Sequence, residues 1–273
     1  MKKFFIFTMF VAGMVSAQTK VTFSGSDTLG GVMTDAIIAA GMNQKISYTG
    51  GGSGVGEKAL ANGEIGVTAM SREFKPEVLD IARSKGIEPV AHVIALDGLA
   101  IFVNDSNTIN SLDFSQLSKI FTCEITSWNQ IPGSGKTGPI KAYRRNDQSG
   151  TTDTFKHLVG VKTFGACVTV VNETADIADR TAAEAEAIGY AGMSGHKSGN
   201  HNVAIAKKAG DSAVLPNTTT IRNETYPLSR KLYIYEATGS RSANEVEREL
   251  LDYVLDRSFL DPIVQDHDFV TID

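Results

Sequence analysis

Short apolar runs at residues 20–23, 46–48, 90–95 and 98–103 alternate with segments whose apolar spacing suits helices. That rhythm predicts an α/β fold. Helices are expected over 33–42, 55–61, 76–84, 114–121, 152–158, 173–186 and 243–255. No internal repeat or low-complexity linker interrupts the chain. Its most loop-like stretch, Pro132-Gly133-Ser134-Gly135-Lys136-Thr137-Gly138-Pro139, is too short to separate domains.

Three segments place small hydroxyl and glycine residues directly before a helical pattern: Ser24-Gly25-Ser26-Asp27-Thr28, Gly50-Gly51-Gly52-Ser53-Gly54-Val55-Gly56 and Ser149-Gly150-Thr151-Thr152. A helix N-terminus leaves unpaired N–H groups with the positive end of the macrodipole behind them, and glycine lets an anion approach the backbone. Any one of these is ordinarily just an N-cap. Three together point to an oxyanion site. The nucleotide phosphate loop is excluded, because Glu57 and Lys58 stand where its Lys and Ser/Thr belong.

Fixed positive charge near these loops comes from Arg144-Arg145 and from Arg72 in Ala69-Met70-Ser71-Arg72-Glu73. A guanidinium fork suits a tetrahedral oxyanion. Asp147 is placed to orient Arg145, while Arg144 reads as a solvated surface pair.

Met1-Lys2-Lys3, the apolar run 4–15 and Val15-Ser16-Ala17 form the pattern of a secretory signal peptide over 1–17, cleaved after Ala17. The run is shorter than the roughly 20 residues of a membrane span. No cysteine stands at the cleavage point to carry a lipid, so a soluble periplasmic protein is expected. Cleavage removes two lysines and moves the formal net charge from -5 to about -7. Nucleic acid and anionic membrane surfaces are therefore poor partners, and an anion must be held by local geometry. About 255 residues remain, enough for two lobes with a core each. In an oxidising compartment Cys123 and Cys167 are expected to form a disulfide.

A secreted serine-dependent phosphatase using Ser53 or Ser149 is the alternative from another class. Neither serine has a histidine nearby in sequence. His92, His157, His196, His201 and His267 form no recognisable triad or metal spacing, so no catalytic residue, metal or cofactor is assigned.

The ordered blocks resemble the periplasmic phosphate-binding proteins of phosphate ABC transporters over nearly the whole mature chain. They run from Gly25-Ser26-Asp27-Thr28-Leu29 through Tyr48-Thr49-Gly50-Gly51-Gly52-Ser53-Gly54 and Ile65-Gly66-Val67-Thr68-Ala69-Met70-Ser71-Arg72 to Ile120-Phe121-Thr122 with Trp128-Asn129. Arg145-Asn146-Asp147-Gln148-Ser149-Gly150-Thr151, Ile188-Gly189-Tyr190 and Tyr226-Pro227-Leu228-Ser229-Arg230 complete the set. The resemblance implies a type II, two-lobed Venus-flytrap fold with two crossovers and a central ligand cleft. Lobe 1 is expected over 18–96 and 229–273, and lobe 2 over 97–228. It implies inorganic phosphate as ligand, a membrane permease as partner, and a monomer. Sulfate, molybdate and arsenate are the alternative ligands.

Carried over by residue, the resemblance implies that Thr28 and the Leu29 amide bind from the first loop, within the segment Ser26-Asp27-Thr28-Leu29, and Ser53 from the glycine loop. Arg145, Ser149, Gly150 and Thr151 bind from the second lobe, with Asp147 holding Arg145. The best-known branch of the family has a proton-accepting aspartate where this chain has Arg72; another branch resembles this chain in having Ser-Arg. Here Asp27 is expected to supply the acceptor, or to be a helix cap, with Arg72 adding charge that favours doubly charged phosphate. Cys123 stands where the family often has glycine. Gly30-Gly31 opens the first helix either for close anion approach or for packing.

Overall fold

The computed structural model describes residues 20–272, so the leader expected over 1–17 lies outside the described residues. The chain begins with β1 (Val21–Ser24), α1 (Gly30–Ala39), β2 (Ile46–Thr49), α2 (Ser53–Ala61), β3 (Val67–Met70) and α3 (Pro76–Ser84). A long strand, β4 (Ile87–Asn104), follows. Next come β5 (Ser111–Asp113), α4 (Phe114–Phe121), β6 (Lys141–Arg145), α5 (Gly150–Val159), β7 (Val168–Val171) and α6 (Thr174–Ala183). They lead to β8 (Ala187–Gly192), β9 (Asn200–Asn202), β10 (Ala204–Ala206), α7 (Thr218–Arg222), β11 (Ser229–Gly239), α8 (Glu245–Leu255) and α9 (Arg257–Asp266).

The largest sheet has the strand order β3-β11-β4-β8-β6-β7, with β9 also on β4. Within it β11 runs antiparallel to β3 and β4, and β6 runs parallel to β7 and β8. Every residue of β8 is buried, as expected for a strand flanked on both edges and covered on its faces. Two smaller parallel pairs, β1 with β2 and β5 with β10, lie outside this sheet.

Two separate apolar cores form the two lobes. One gathers Phe23, Leu29, Met33, Leu60 and Ile94 with Leu232, Ile234, Leu250 and Leu260. The other gathers Leu99, Ile101, Phe121, Trp128, Phe155 and Tyr190 with Tyr226 and Leu228. Strand β4 feeds both, and the chain leaves the second core at Leu228, just before β11, and enters the first at Leu232 within it. These two strands are the crossovers.

The separate strands expected at 90–95 and 98–103 are one continuous strand. The intervening Asp97-Gly98 pair is turn-type chemistry in sequence. It stays extended because the Asp97 carboxylate is buried against Arg230 of β11. The first helix starts earlier than expected, at Gly30, and Gly31 is explained by packing: a Cβ there would lie 2.4 Å from the His267 ring. Helix α9 was hidden in the sequence by Pro262, which it carries internally.

Cys123 and Cys167 form a disulfide, with Cα atoms 6.0 Å apart. Cys123 has φ 68°, a left-handed conformation that favours glycine. Gly165 packs directly on the bridge, since a Cβ there would lie 2.2 Å from Cys123 Sγ.

Candidate anion-binding site

The three hydroxyl and glycine loops meet between the lobes. The first turns from β1 through a single 3-10 turn, Asp27–Leu29, into α1. The second delivers Ser53 to the first position of α2 through Gly51 and Gly52, both at positive φ. The third delivers Ser149 as N-cap of α5.

Glycine makes the convergence possible. A Cβ on Gly52 would lie 2.3 Å from Gln148 O, and one on Gly150 would lie 2.3 Å from Ser53 Oγ and 2.5 Å from Ser71 Oγ. Gly54 N donates to Gln148 O at 3.1 Å, joining the second loop to the third. Thr28 Oγ1 and Thr151 Oγ1 are 3.1 Å apart, joining the first to the third. Three helix N-termini thus abut, with their dipoles directed into one small region.

The second lobe holds its share of the site rigidly. Arg145 ends β6, and its backbone carbonyl accepts from Thr152 Oγ1 at 3.1 Å. Tyr190 bonds the same hydroxyl at 3.1 Å and stacks on Phe155 with ring centroids 4.0 Å apart. Tyr48 fixes the first loop, its hydroxyl donating to Ser26 O at 2.7 Å. Burial, and then the charge of Asp27, hold the Tyr48 pKa well above the usual phenol range, so it remains a donor.

Arg145 is buried and donates from Nη2 to Asp27 Oδ2 at 2.8 Å and from Nη1 to Thr174 Oγ1 at 3.1 Å. This corrects the expectation for Asp147, whose carboxylate is 71% exposed and pairs with Arg144 instead, at 2.9 Å. Arg144 in turn is largely covered and lies 4.3 Å from the Phe164 ring centroid, a cation–π placement rather than a solvated surface pair.

Asp27 has the anchoring role, because Oδ1 also accepts from Gly51 N at 2.9 Å. Both its oxygens are engaged within the protein, on Gly51 and Arg145, so the structure gives Asp27 an anchoring role that the reading as the ligand's proton acceptor did not include. It is not a side-chain helix cap, since the adjoining turn has no side-chain cap hydrogen bond from its N-cap residue, Ser26, and Asp27 spends its oxygens on Gly51 and Arg145.

Arg72 is corrected too. Its guanidinium donates to Glu57 at 2.6 and 2.8 Å, to Asp153 at 2.9 Å and to Glu73 O at 2.7 Å. It is a bridge between Glu57 in one lobe and Asp153 in the other, with its charge met twice over. The Leu29 amide donates to Ser26 O at 3.2 Å, so the turn itself uses it.

Two polar atoms in the site have no hydrogen-bond partner among the described residues: Ser26 Oγ and Arg145 Nε, on residues 1% and 2% exposed. Buried polar groups are normally paired. Orphans beside three helix N-termini mark where an acceptor fits. A cavity of about 860 Å³ opens beside these loops rather than among them, along Lys75, Lys156, Lys162, Lys207 and Lys231.

Sequence reasoning missed Arg230 and Asp97. Arg230 Nη1 donates to Thr151 Oγ1 at 2.9 Å, and Nη2 lies 3.5 Å from Thr28 Oγ1. The available signal was Asp97 itself, one acid inside the apolar run Ile94-Ala95-Leu96-Asp97-Gly98-Leu99.

Two cores strung on two crossover strands, with helix N-termini meeting between them, define a two-lobed binding protein as a class. Residues 12–258 match the model of the PBP superfamily domain. The chain is 31% identical over 260 residues to the phosphate-binding protein PstS of Pseudomonas aeruginosa, covering 89% of this chain and 80% of that protein. It therefore belongs to the PstS family of phosphate-binding proteins. Its fold matches a Clostridium perfringens substrate-binding protein solved with bound phosphate, with TM-score 0.80 and 24% identity over 93% of this chain and 100% of that one. An ABC-type phosphate transport receptor from Vibrio cholerae gives TM-score 0.74 and 22% identity over 93% and 100% of the two chains.

Proposed function

We propose that this protein binds inorganic phosphate between its two lobes and presents it to the membrane permease of an ABC transporter for import. The observation that carries the reading is the meeting of three helix N-termini around Arg145, with the partnerless Ser26 Oγ and Arg145 Nε beside them. The PstS relative and the phosphate-bound structural neighbour support phosphate as the oxyanion.

Each arginine at the site is already paired with a carboxylate. Bound phosphate is then held by hydroxyls, amides and helix dipoles that replace its hydration shell, rather than by net charge. Contacts to both lobes are what allow a ligand to shift the lobes toward the closed form. The lobes divide at 96/97 and 228/229, and the leader is removed after Ala17, releasing a periplasmic monomer.

No chemistry is assigned to the site. Ser53 Oγ lies 3.2 Å from Ser71 Oγ and accepts from Ser71 N, while Ser149 caps α5. The partners of these two hydroxyls are a serine and backbone amides rather than a histidine or carboxylate, an arrangement unlike an activated nucleophile.

The test is calorimetric titration of the phosphate-stripped protein with phosphate, sulfate and molybdate. Tight binding of phosphate with weak or no binding of the others is the expected result. Equal or tighter binding of sulfate or molybdate would reassign the ligand. Turnover of a chromogenic phosphate ester, lost in Ser149→Ala, would make the protein an enzyme.

A further inference from the structure

Arg230 and Asp97 are partners in the β11–β4 ladder, at the point where both strands pass between the cores. Arg230 Nε and Nη2 donate to Asp97 Oδ2 at 2.9 and 2.6 Å, and both side chains are buried. The rest of the guanidinium faces the cleft, reaching Thr151 Oγ1 from one lobe and Thr28 Oγ1 from the other. A guanidinium has donors only. A hydroxyl that accepts from it must point its own hydrogen elsewhere.

We propose that Arg230 is a positioning residue that sets specificity: it fills acceptor sites on Thr28 and Thr151, whose hydroxyls also bond each other, and so leaves the pair one hydrogen to donate into the cleft, whose floor then favours a ligand oxygen without a proton. This deepens the phosphate reading and rests on it. Each of the carboxylates Asp97, Asp27, Glu57 and Asp153 around the floor has a cationic partner. Asp97 is held by Arg230, Asp27 by Arg145, Glu57 by Arg72, and Asp153 by Arg72 and Lys75. With each carboxylate committed, the threonine pair decides which protonation state of phosphate is preferred. The doubly charged form offers more bare oxygens than the singly charged one and is bound more tightly. Arg230 acts here through the threonines, and Asp97 fixes the fork from behind.

The experiment is phosphate calorimetry on either side of the ligand's second ionisation, comparing wild type with the double variant Asp97→Asn/Arg230→Gln. Removing both charges together leaves no unpaired buried charge to unfold the hinge. Wild-type affinity should rise as the dianion forms. The double variant should lose about tenfold in affinity on the high-pH side, the size of a lost charge-assisted hydrogen bond, and far less on the low-pH side, so its pH profile flattens. Arg230→Lys, still a donor-only cation, should recover part of the slope, and it is read alone if the double variant does not fold. A wild-type pH profile in the double variant, whether affinity is unchanged or uniformly lowered, would overturn the proposal, as would, where that variant does not fold, a slope in Arg230→Lys identical to wild type. Failure of the wild type itself to bind phosphate would remove the underlying reading before any variant is compared.

Discussion

At the residue scale, the site depends on which carboxylate holds which arginine. Arg145 is gripped by Asp27 across the cleft, 118 positions away in sequence, while its near neighbour Asp147 turns outward to Arg144. Arg145→Ala should therefore weaken phosphate binding by about 100-fold, the scale of charge-assisted hydrogen bonds lost from a buried site. Asp147→Asn, at an exposed pair, should change it by less than about threefold. Calorimetry on the two variants separates the roles, and a comparable loss in both would restore Asp147 as the anchor. Asp27→Asn should leave the preference for phosphate over sulfate as it is in wild type, because Asp27 faces Arg145 and Gly51 rather than a ligand proton. The loops that carry Thr28, Ser53, Ser149 and Thr151, the proposed donors, could be picked out because small hydroxyl and glycine residues before a helix are a local pattern, written in neighbouring residues. The pairing of Arg230 with Asp97, 133 positions apart, is not local: Asp97 stands out as an acid in an apolar run, but nothing near it names its partner.

At the element scale, β6 carries Arg145 to the cleft and is clamped from α6 through Glu184. That carboxylate accepts from Lys141 Nζ at 3.0 Å, Tyr143 Oη at 2.8 Å and Arg180 Nη1 at 3.0 Å. Burial pushes its carboxyl up, but these three hydrogen bonds outweigh burial and hold it at about 2, against 4.5 for an ordinary glutamate. A depressed carboxylate stabilises the fold fully above its unfolded pKa and loses that contribution as pH falls toward the folded one. Stability should therefore drop between about pH 4.5 and about pH 2. Glu184→Gln should remove this component, which denaturant melts across that range would read; an unchanged acid slope would place the clamp elsewhere. The disulfide ties the end of α4 to the entry of β7 across 44 residues. Reductant should lower stability by about 3–4 kcal/mol on a loop-closure basis, read as a lower unfolding midpoint. Helices with a clear start signal and spacing were legible to the residue, Pro76–Ser84 from its leading proline and Phe114–Phe121 from its Asp113 cap. The unbroken course of β4 was not, since Asp97 is a strand residue only in the company of Arg230.

At the scale of the whole molecule, the lobes communicate through two crossover strands and through contacts that span the cleft. These are Asp27 with Arg145, Arg72 and Lys75 with Asp153, and Thr28 with Thr151. An anion seated among them adds contacts to both sides and biases the same closure. The chain carries a formal net charge of -5, yet a groove rich in lysine opens beside the loops, so two places compete on chemical grounds for an anion. Binding is proposed at the loops. The most direct measurement is a crystal structure of the protein soaked in phosphate. The expected result is one tetrahedral anion between the lobes, within hydrogen-bond reach of Ser26, Thr28, Ser53, Arg145 and Thr151. An anion found instead along Lys156, Lys162 and Lys207, with the loops unoccupied, would contradict it.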